Sequence, residues 1–425
     1  MFYFKENTMN ISKEFLIVVI GQIVVLIGGF IFIKLLSIHL SVSEYGIYSL
    51  LISASTFFLL LPFSSFDQAV ARDLNNHKNN LSRYYSNSIC LYIIISIIQM
   101  IIILILFEII KIDLFKEIYK LKWELLVFTF FTIIRNLLLT IENFRRNRNI
   151  VTMSKLYENI FKILTVILLY KYFNIDIKNI LISINCFLGI NILYILFINN
   201  SILKTNLIRF KNLYILNKKF IFFSTPLLIW TVFSWTTLNA PVWLIKNFYD
   251  LEWVGYFNML NNIATIFPTQ LIGILSAYFS PIYYQKELIN NEYIIKSTNK
   301  NIKNLFILFT IGGFILFMFH DKIIILLTSE KYLEHSWLIV YLFIISAITN
   351  IGAFLSIEIF VYKKMKKLIL PNIFTALITV FCGYYALNIF AINGLIFTMF
   401  LSSLVYTITV YVNVKKLRKG YECQN

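Results

Sequence analysis

Phe15-Leu-Ile-Val-Val-Ile-Gly-Gln-Ile-Val-Val-Leu-Ile-Gly-Gly-Phe-Ile-Phe-Ile-Lys-Leu-Leu-Ser-Ile38 is a run of 24 residues broken only by Gly21, Gln22, Gly28, Gly29, Lys34 and Ser37. As a helix rising about 1.5 Å per residue it is about 36 Å long, enough to cross the roughly 30 Å hydrocarbon core of a bilayer. Eleven further runs follow: Ile47–Val70, Ser88–Phe107, Trp123–Ile141, Ile160–Phe173, Ile180–Ile198, Phe220–Ile245, Val254–Phe279, Leu305–Leu327, Trp337–Tyr362, Leu368–Ile389 and Leu395–Val414. The fifth is the weakest, being short unless Tyr157–Ile160 extend it, and it carries Lys162 and Lys171. The chain is 59% hydrophobic and only 14% charged, with a mean hydropathy of +0.76. That balance excludes a water-soluble domain. The runs do not alternate as barrel strands would. Backbone facing lipid must satisfy its own hydrogen bonds, so the pattern predicts twelve transmembrane helices in an all-α membrane protein.

Lys and Arg set the orientation. With the N-terminus in the cytoplasm, 26 of the 38 basic residues fall in cytoplasmic segments, 9 in outer segments, counting Lys171 at the outer end of the fifth run, and 3 (Lys34, Arg135, Lys162) deeper within spans. Both termini are therefore expected to be cytoplasmic. The net charge of +17 is mostly topology. It is spread over many short loops that suit anionic lipid headgroups and give no nucleic-acid face. The first run is too long for a signal-peptide core and has no small-residue cleavage site. Cys90, Cys186, Cys382 and Cys423 are isolated, so neither a metal site, a disulfide nor a cofactor motif is legible.

The most basic internal linker, Asn199–Lys219 with five Lys and Arg, follows the sixth span and splits the chain into lobes of residues 1–205 and 206–425. The second spans of the two lobes open alike. One reads Leu40-Ser-Val-Ser-Glu-Tyr-Gly-Ile-Tyr-Ser-Leu50, the other Tyr249-Asp-Leu-Glu-Trp-Val-Gly-Tyr-Phe-Asn-Met259, with the acid–glycine spacing offset by one residue. An even number of spans per lobe makes these parallel repeats, with a path for substrate between them.

These segments carry a family resemblance. With Gly21 and Gly28-Gly29, Asp67-Gln-Ala-Val-Ala-Arg72, Val254-Gly-Tyr-Phe-Asn-Met-Leu-Asn261, Phe267-Pro268 and Phe279-Ser-Pro281, the chain resembles the Wzx-type O-antigen flippases. These belong to the multidrug/oligosaccharidyl-lipid/polysaccharide (MOP) superfamily, whose fold is MATE-like. The resemblance implies a lipid-linked oligosaccharide substrate, a repeat unit on undecaprenyl diphosphate. It implies translocation across the bacterial inner membrane, with membrane lipids, and a polymerase and chain-length regulator, as partners. Members of the family often carry an acid in the outer half of span seven. Here Ser234-Trp-Thr-Thr-Leu-Asn239 offers only polar groups.

A charge at the bilayer centre costs about 2.5–3.5 kcal/mol on insertion scales, so each is a functional candidate. Lys34, Asp67, Arg72, Arg135, Glu142, Glu158 and Lys162 lie in the first lobe. Glu358 is the main acid of the second, joined by polar groups such as Asn239 and Asn261. Arg135 lies mid-span with Glu142 at i+7 on its helical face, and Glu158 and Lys162 stand at i, i+4. Each has a plainer reading. Lys34 could snorkel to the outer interface, Arg72 could anchor the helix end, Glu158–Lys162 could be a structural pair, and Glu358 could mark a helix terminus. Cations on one wall with amides and hydroxyls on the other suit an anionic diphosphate joined to a sugar. Pro62 and Pro268 are candidate hinges.

Two rivals stand beside a flippase. A multidrug exporter of the same superfamily wants an acidic cavity, against which the basic first lobe argues. A membrane polymerase wants a large outer loop with catalytic residues, whereas Glu108–Lys122 is short. The topology is testable. A cysteine replacing Asn206 should resist a membrane-impermeant thiol reagent in intact cells, and labelling equal to that in the Phe173–Lys178 turn would invert the assignment.

Overall fold

The computed structural model describes residues 11–74, 81–109, 115–145, 147–172, 175–199, 210–286, 291–362 and 364–422. Helices form nearly all of it, and no strand occurs among the described residues. The first lobe holds α1 (Ile11–His39), α2 (Val42–Leu59), α3 (Ser65–Leu74), α4 (Leu81–Ile109), the short α5 (Lys116–Lys120), α6 (Lys122–Phe144), α7 (Arg148–Tyr172) and α8 (Ile177–Ile198). The second holds α9 (Phe210–Phe248), α10 (Leu251–Lys286), α11 (Asn291–Leu327), α12 (Leu338–Val361), α13 (Ile369–Leu377) and α14 (Gly383–Glu422). The boundary expected at 205/206 lies outside the described residues. The first turns of α9 pack through Leu213, Leu216 and Phe220 into the core of the first lobe.

Ten segments are long and apolar enough to cross a membrane. One of them, Met365–Lys419, is two crossings. Its chain reverses at Ala391 (φ 54°, ψ −147°), where a Cβ on Gly394 would stand 2.3 Å from the carbonyl oxygen of Ala386. The twelfth crossing is α7. Its charges keep it out of the apolar set, and it begins at Arg148, twelve residues before the hydropathy run. Twelve crossings return the chain to the face on which α1 starts, which we call the terminal face; α1 ends at the far face.

One of the two candidate proline hinges breaks its helix. Span two is broken by a turn of π-helix at Leu60–Ser64, with Leu61 non-helical (φ −107°, ψ 109°). Pro62 lacks the N–H a regular helix needs. Gln99 on α4 donates to the exposed carbonyls of Phe58 (2.8 Å) and Leu61 (2.6 Å). The other candidate hinge does not bend, since α10 runs through Pro268 as one helix.

The repeated motif explains how the lobes meet. Ser41 caps α2, accepting from the N–H of Glu44 at 3.2 Å, while Glu44 accepts from the N–H of Ser41 at 2.8 Å. Asp250 caps α10, accepting from the N–H of Trp253 at 3.0 Å. Aligned on these caps, Gly46 and Gly255 occupy the same helical position, so the offset read from the acids disappears. The two glycines also face each other. A Cβ on Gly46 would lie 2.1 Å from the carbonyl oxygen of Leu251, and one on Gly255 would lie 2.0 Å from that of Val42. Only glycine lets α2 and α10 touch backbone to backbone, the usual device where no hydrophobic effect joins helices.

Two lysines reinforce this contact from opposite lobes. Lys34 Nζ donates to the carbonyl of Leu326 at the end of α11 (2.6 Å). Lys331 Nζ donates to Ile38 (2.9 Å) and Leu40 (3.0 Å) at the end of α1, and Ser329 Oγ donates to Ser37 (2.9 Å). Helix C-termini carry unpaired carbonyls and partial negative charge, which a cation complements. Lys331→Met should therefore loosen the far-face closure. In a cysteine-free background, a cysteine at the buried position Ser53 on α2 should label several-fold faster with an impermeant thiol reagent in the Lys331→Met protein.

Candidate functional site

Positions seven apart drift by only about 20° around an α-helix, so Arg148, Lys155 and Lys162 form one row along α7. Met153, Ile160 and Ile167 are exposed apolar residues on the same helix and mark its lipid-facing side. They stand five positions from the charged row, about 140° around the axis. The row therefore points away from lipid. One flank of α7 packs on α1, where a Cβ on Gly21 would meet Thr152 and one on Gly28 would meet Asn159. On another flank Ser154 Oγ donates to Asn191 of α8 (2.9 Å).

Arg135 on α6 meets this row. Glu158 accepts from Arg135 Nη2 with Oε2 and from Lys162 Nζ with Oε1 (2.8 Å). Arg135 Nη1 also donates to Asn136 (3.0 Å). The side chains stay partly open: 18% exposed for Arg135, 17% for Glu158 and 29% for Lys162. Among the described residues the Nε groups of Arg135 and Arg148 are buried without a hydrogen-bond partner. Counting Arg148, Lys155, Arg135 and Lys162 against Glu158, the cluster is strongly cationic. The i, i+7, i+14 spacing of the row is visible in the sequence, but the sequence reading placed Arg148 and Lys155 in a loop because hydropathy began the span too late.

The remaining candidates lie elsewhere. Lys34 stands five residues from the far end of α1, whereas Arg135 stands thirteen residues below the far end of α6. Their depths differ by about 12 Å, so one phosphate group does not touch both. Glu142 does not pair with Arg135. It is 0% exposed and accepts from Arg145 (2.8 Å) and Asn147 (2.6 Å), while Arg145 reaches Asn199 beyond α8 (2.6 Å). Glu358 is likewise 0% exposed, held by Arg418 through Nε (2.9 Å) and Nη2 (2.6 Å), and Arg418 also donates to Asn299 of α11 (3.0 Å). Asn350 bonds within its own helix rather than to Glu358. Asp67 accepts from Tyr92 of α4 (2.9 Å). The side chain of Arg72 lies outside the described residues. Asn239 donates to Trp235 one turn back (3.2 Å), and half-buried Asn261 makes no side-chain hydrogen bond among the described residues. An open, apolar groove of about 620 Å³ between α6 and α8, lined by Trp123, Phe131 and Leu193 among others, shares none of the charged residues of the row.

Removing one partner of a sealed ion pair leaves a buried charge, at a typical cost of about 3–5 kcal/mol. Glu358→Ala, Arg418→Ala and Arg145→Ala should each lower the melting temperature in detergent and the abundance in membranes. Arg135→Ala should lower them less, because the Glu158 it leaves is 17% exposed and still paired with Lys162. Melting curves of the purified variants test that order.

The comparisons with known proteins agree with this architecture. A model of the polysaccharide biosynthesis protein family matches residues 11–285. No curated protein matches the chain in sequence. Among solved structures, an inward-facing multidrug-resistance MATE transporter of the MOP superfamily superposes with a TM-score of 0.72 at 14% identity, covering 94% of this chain and 96% of the other. An outward-facing one gives 0.64 at 15% identity, covering 94% and 96%. A MOP transporter from Pyrococcus furiosus gives 0.63 at 14% identity, covering 93% and 95%. Identities this low speak for the fold, and the match to the family model covers well over half of the chain. The protein belongs to the polysaccharide biosynthesis protein family, that of the Wzx-type flippases, and is a multi-pass membrane protein with a MATE-like fold.

Proposed function

We propose that the protein flips a lipid-linked oligosaccharide, a repeat unit on undecaprenyl diphosphate, across the bacterial inner membrane. The observation that carries this reading is the inward row of Arg148, Lys155 and Lys162 with Arg135 beside it. The task is to pass a polar headgroup through hydrocarbon while the lipid tail stays in the bilayer. A cavity between two parallel lobes, open to one face at a time, performs it. Arg supplies a planar fork of donors and Lys a compact charge, and both hold phosphate oxygens. The row starts at the terminal face and rises into the membrane, so a diphosphate entering there meets Arg148, then Lys155, then Arg135 and Lys162.

The basic-residue bias makes the terminal face cytoplasmic, so the headgroup moves outward. The membrane potential favours that direction. At about 2.3 kcal/mol per charge per 100 mV, two negative charges gain roughly 4.6 kcal/mol. Closure of the far face by Gly46, Gly255, Lys34 and Lys331 corresponds in this reading to a carrier that admits substrate from the cytoplasm. An O-antigen or capsule polymerase and a chain-length regulator would act on the delivered units.

A multidrug exporter for cations is the second reading, since solved structures of like fold are described as multidrug transporters. The charge of the row opposes it. The Pyrococcus furiosus protein is described as having a binding pocket of reverse polarity that suggests a different function, so pocket polarity is a fair discriminator within this fold.

Sign of charge provides the test. At Arg135 and Lys162, surface-polysaccharide export in a complemented flippase-deficient strain should rank wild type, then exchange between Lys and Arg, then Gln, then Glu. Reversal is worst because it adds repulsion and a desolvated anion. Equal export by the Gln and Glu variants at both positions, with normal protein abundance, would remove the cationic site from the mechanism. Drug efflux improved by the Glu variants would favour the exporter.

A further inference from the structure

The groups around Glu158 define a role that anion binding alone does not require. Its two carboxylate oxygens are divided between two cations on different helices, Arg135 of α6 and Lys162 of α7. Two oxygens on one centre, each facing a different cation, is the arrangement a phosphate's non-bridging oxygens would take. Around this pair, Asn136 accepts from Arg135, Lys155 lies one turn back on α7, and Asn159 donates to the carbonyl of Lys155 and stands against Gly28 of α1. No second carboxylate joins this cluster among the described residues. The cations that would grip an anionic headgroup are thus already occupied by one resident anion.

We infer that Glu158 is a built-in counter-anion, displaced from Arg135 and Lys162 by the substrate's phosphate and reclaiming them as the headgroup leaves. This rests on the reading of the row as a diphosphate site. The physical need is general. A carrier that alternates between faces must also return empty, and cations left bare in a low-dielectric interior oppose that return. A tethered carboxylate pairs with both during the return, offsetting one of their two charges, and competes with the headgroup at release. It weakens binding in exchange for turnover, so its loss should raise affinity while lowering transport.

The test uses the purified full chain in nanodiscs with a short-chain polyprenyl diphosphate as probe, alongside export in cells. Glu158→Gln should bind the probe at least tenfold more tightly than wild type yet export several-fold less at equal abundance. Glu158→Asp keeps the charge but draws the carboxylate back by one methylene. It should bind more tightly than wild type by a smaller factor, which keeps the test open if the Gln variant does not fold. Arg135→Gln and Lys162→Gln should weaken binding. If those two weaken binding but neither Glu158 variant binds more tightly than wild type, the displacement is wrong and the diphosphate site stands. If Arg135→Gln and Lys162→Gln bind like wild type, the site itself is wrong, and the role given to Glu158 falls with it.

Discussion

An ionised side chain inside a bilayer must be paired or wetted, and the placement of charge in this protein follows from that constraint. The membrane-embedded carboxylates divide accordingly. Glu142 and Glu358 are sealed, each held by an arginine that also ties a third segment: Asn199 beyond α8 in one lobe, Asn299 of α11 in the other. Both glutamates sit near the end of the fourth crossing of their lobe, at the terminal face. Glu158 differs because it is itself partly open, 17% exposed against 0% for the other two. Clamps are built from enclosed pairs, and a site that exchanges ligands needs pairs that water and substrate can reach.

The same logic governs how the lobes meet. Lipid tails are as apolar as leucine, so burial of apolar surface does not drive helices together in a membrane. The far-face contact relies instead on backbone approach at Gly46 and Gly255 and on lysines at helix ends. Trp235 and Trp243 of α9 add indole donors to Thr56 (3.1 Å) and Ser53 (2.9 Å) of α2. Each of these is short-ranged and individually modest. They act beside an apolar core that the two lobes share, with Leu50 and Leu51 of α2 in one cluster with Val254 and Leu260 of α10.

Much of the site could not be read from the chain. Depth and spacing singled out Arg135, Glu158 and Lys162, because each is anomalous against an apolar background. Partnership was less legible. Glu142 shares a helical face with Arg135 at i+7, yet Arg145 and Asn147 at the end of that helix lie closer and close a local turn. Arg418 is sixty residues from Glu358, and no local pattern joins them. Hydropathy places Arg148 and Lys155 in a loop because it measures composition, whereas a helix packed against α1, α6 and α8 can carry charge on its inward side.

The sequence alone determined the class, the twelve crossings, the parallel two-lobe plan and the family, because each depends on run length, periodicity and charge bias, which are properties of local composition. It also marked Gly46 and Gly255 as equivalents. Tertiary structure decided which charges meet, that those two glycines touch, that Lys34 belongs to the far-face closure while Arg135 belongs to the cationic row, and that two of the glutamates are sealed. Those outcomes depend on how rigid helices cross in space. Contacts between residues tens to hundreds of positions apart are fixed by packing, and packing leaves no mark in hydropathy.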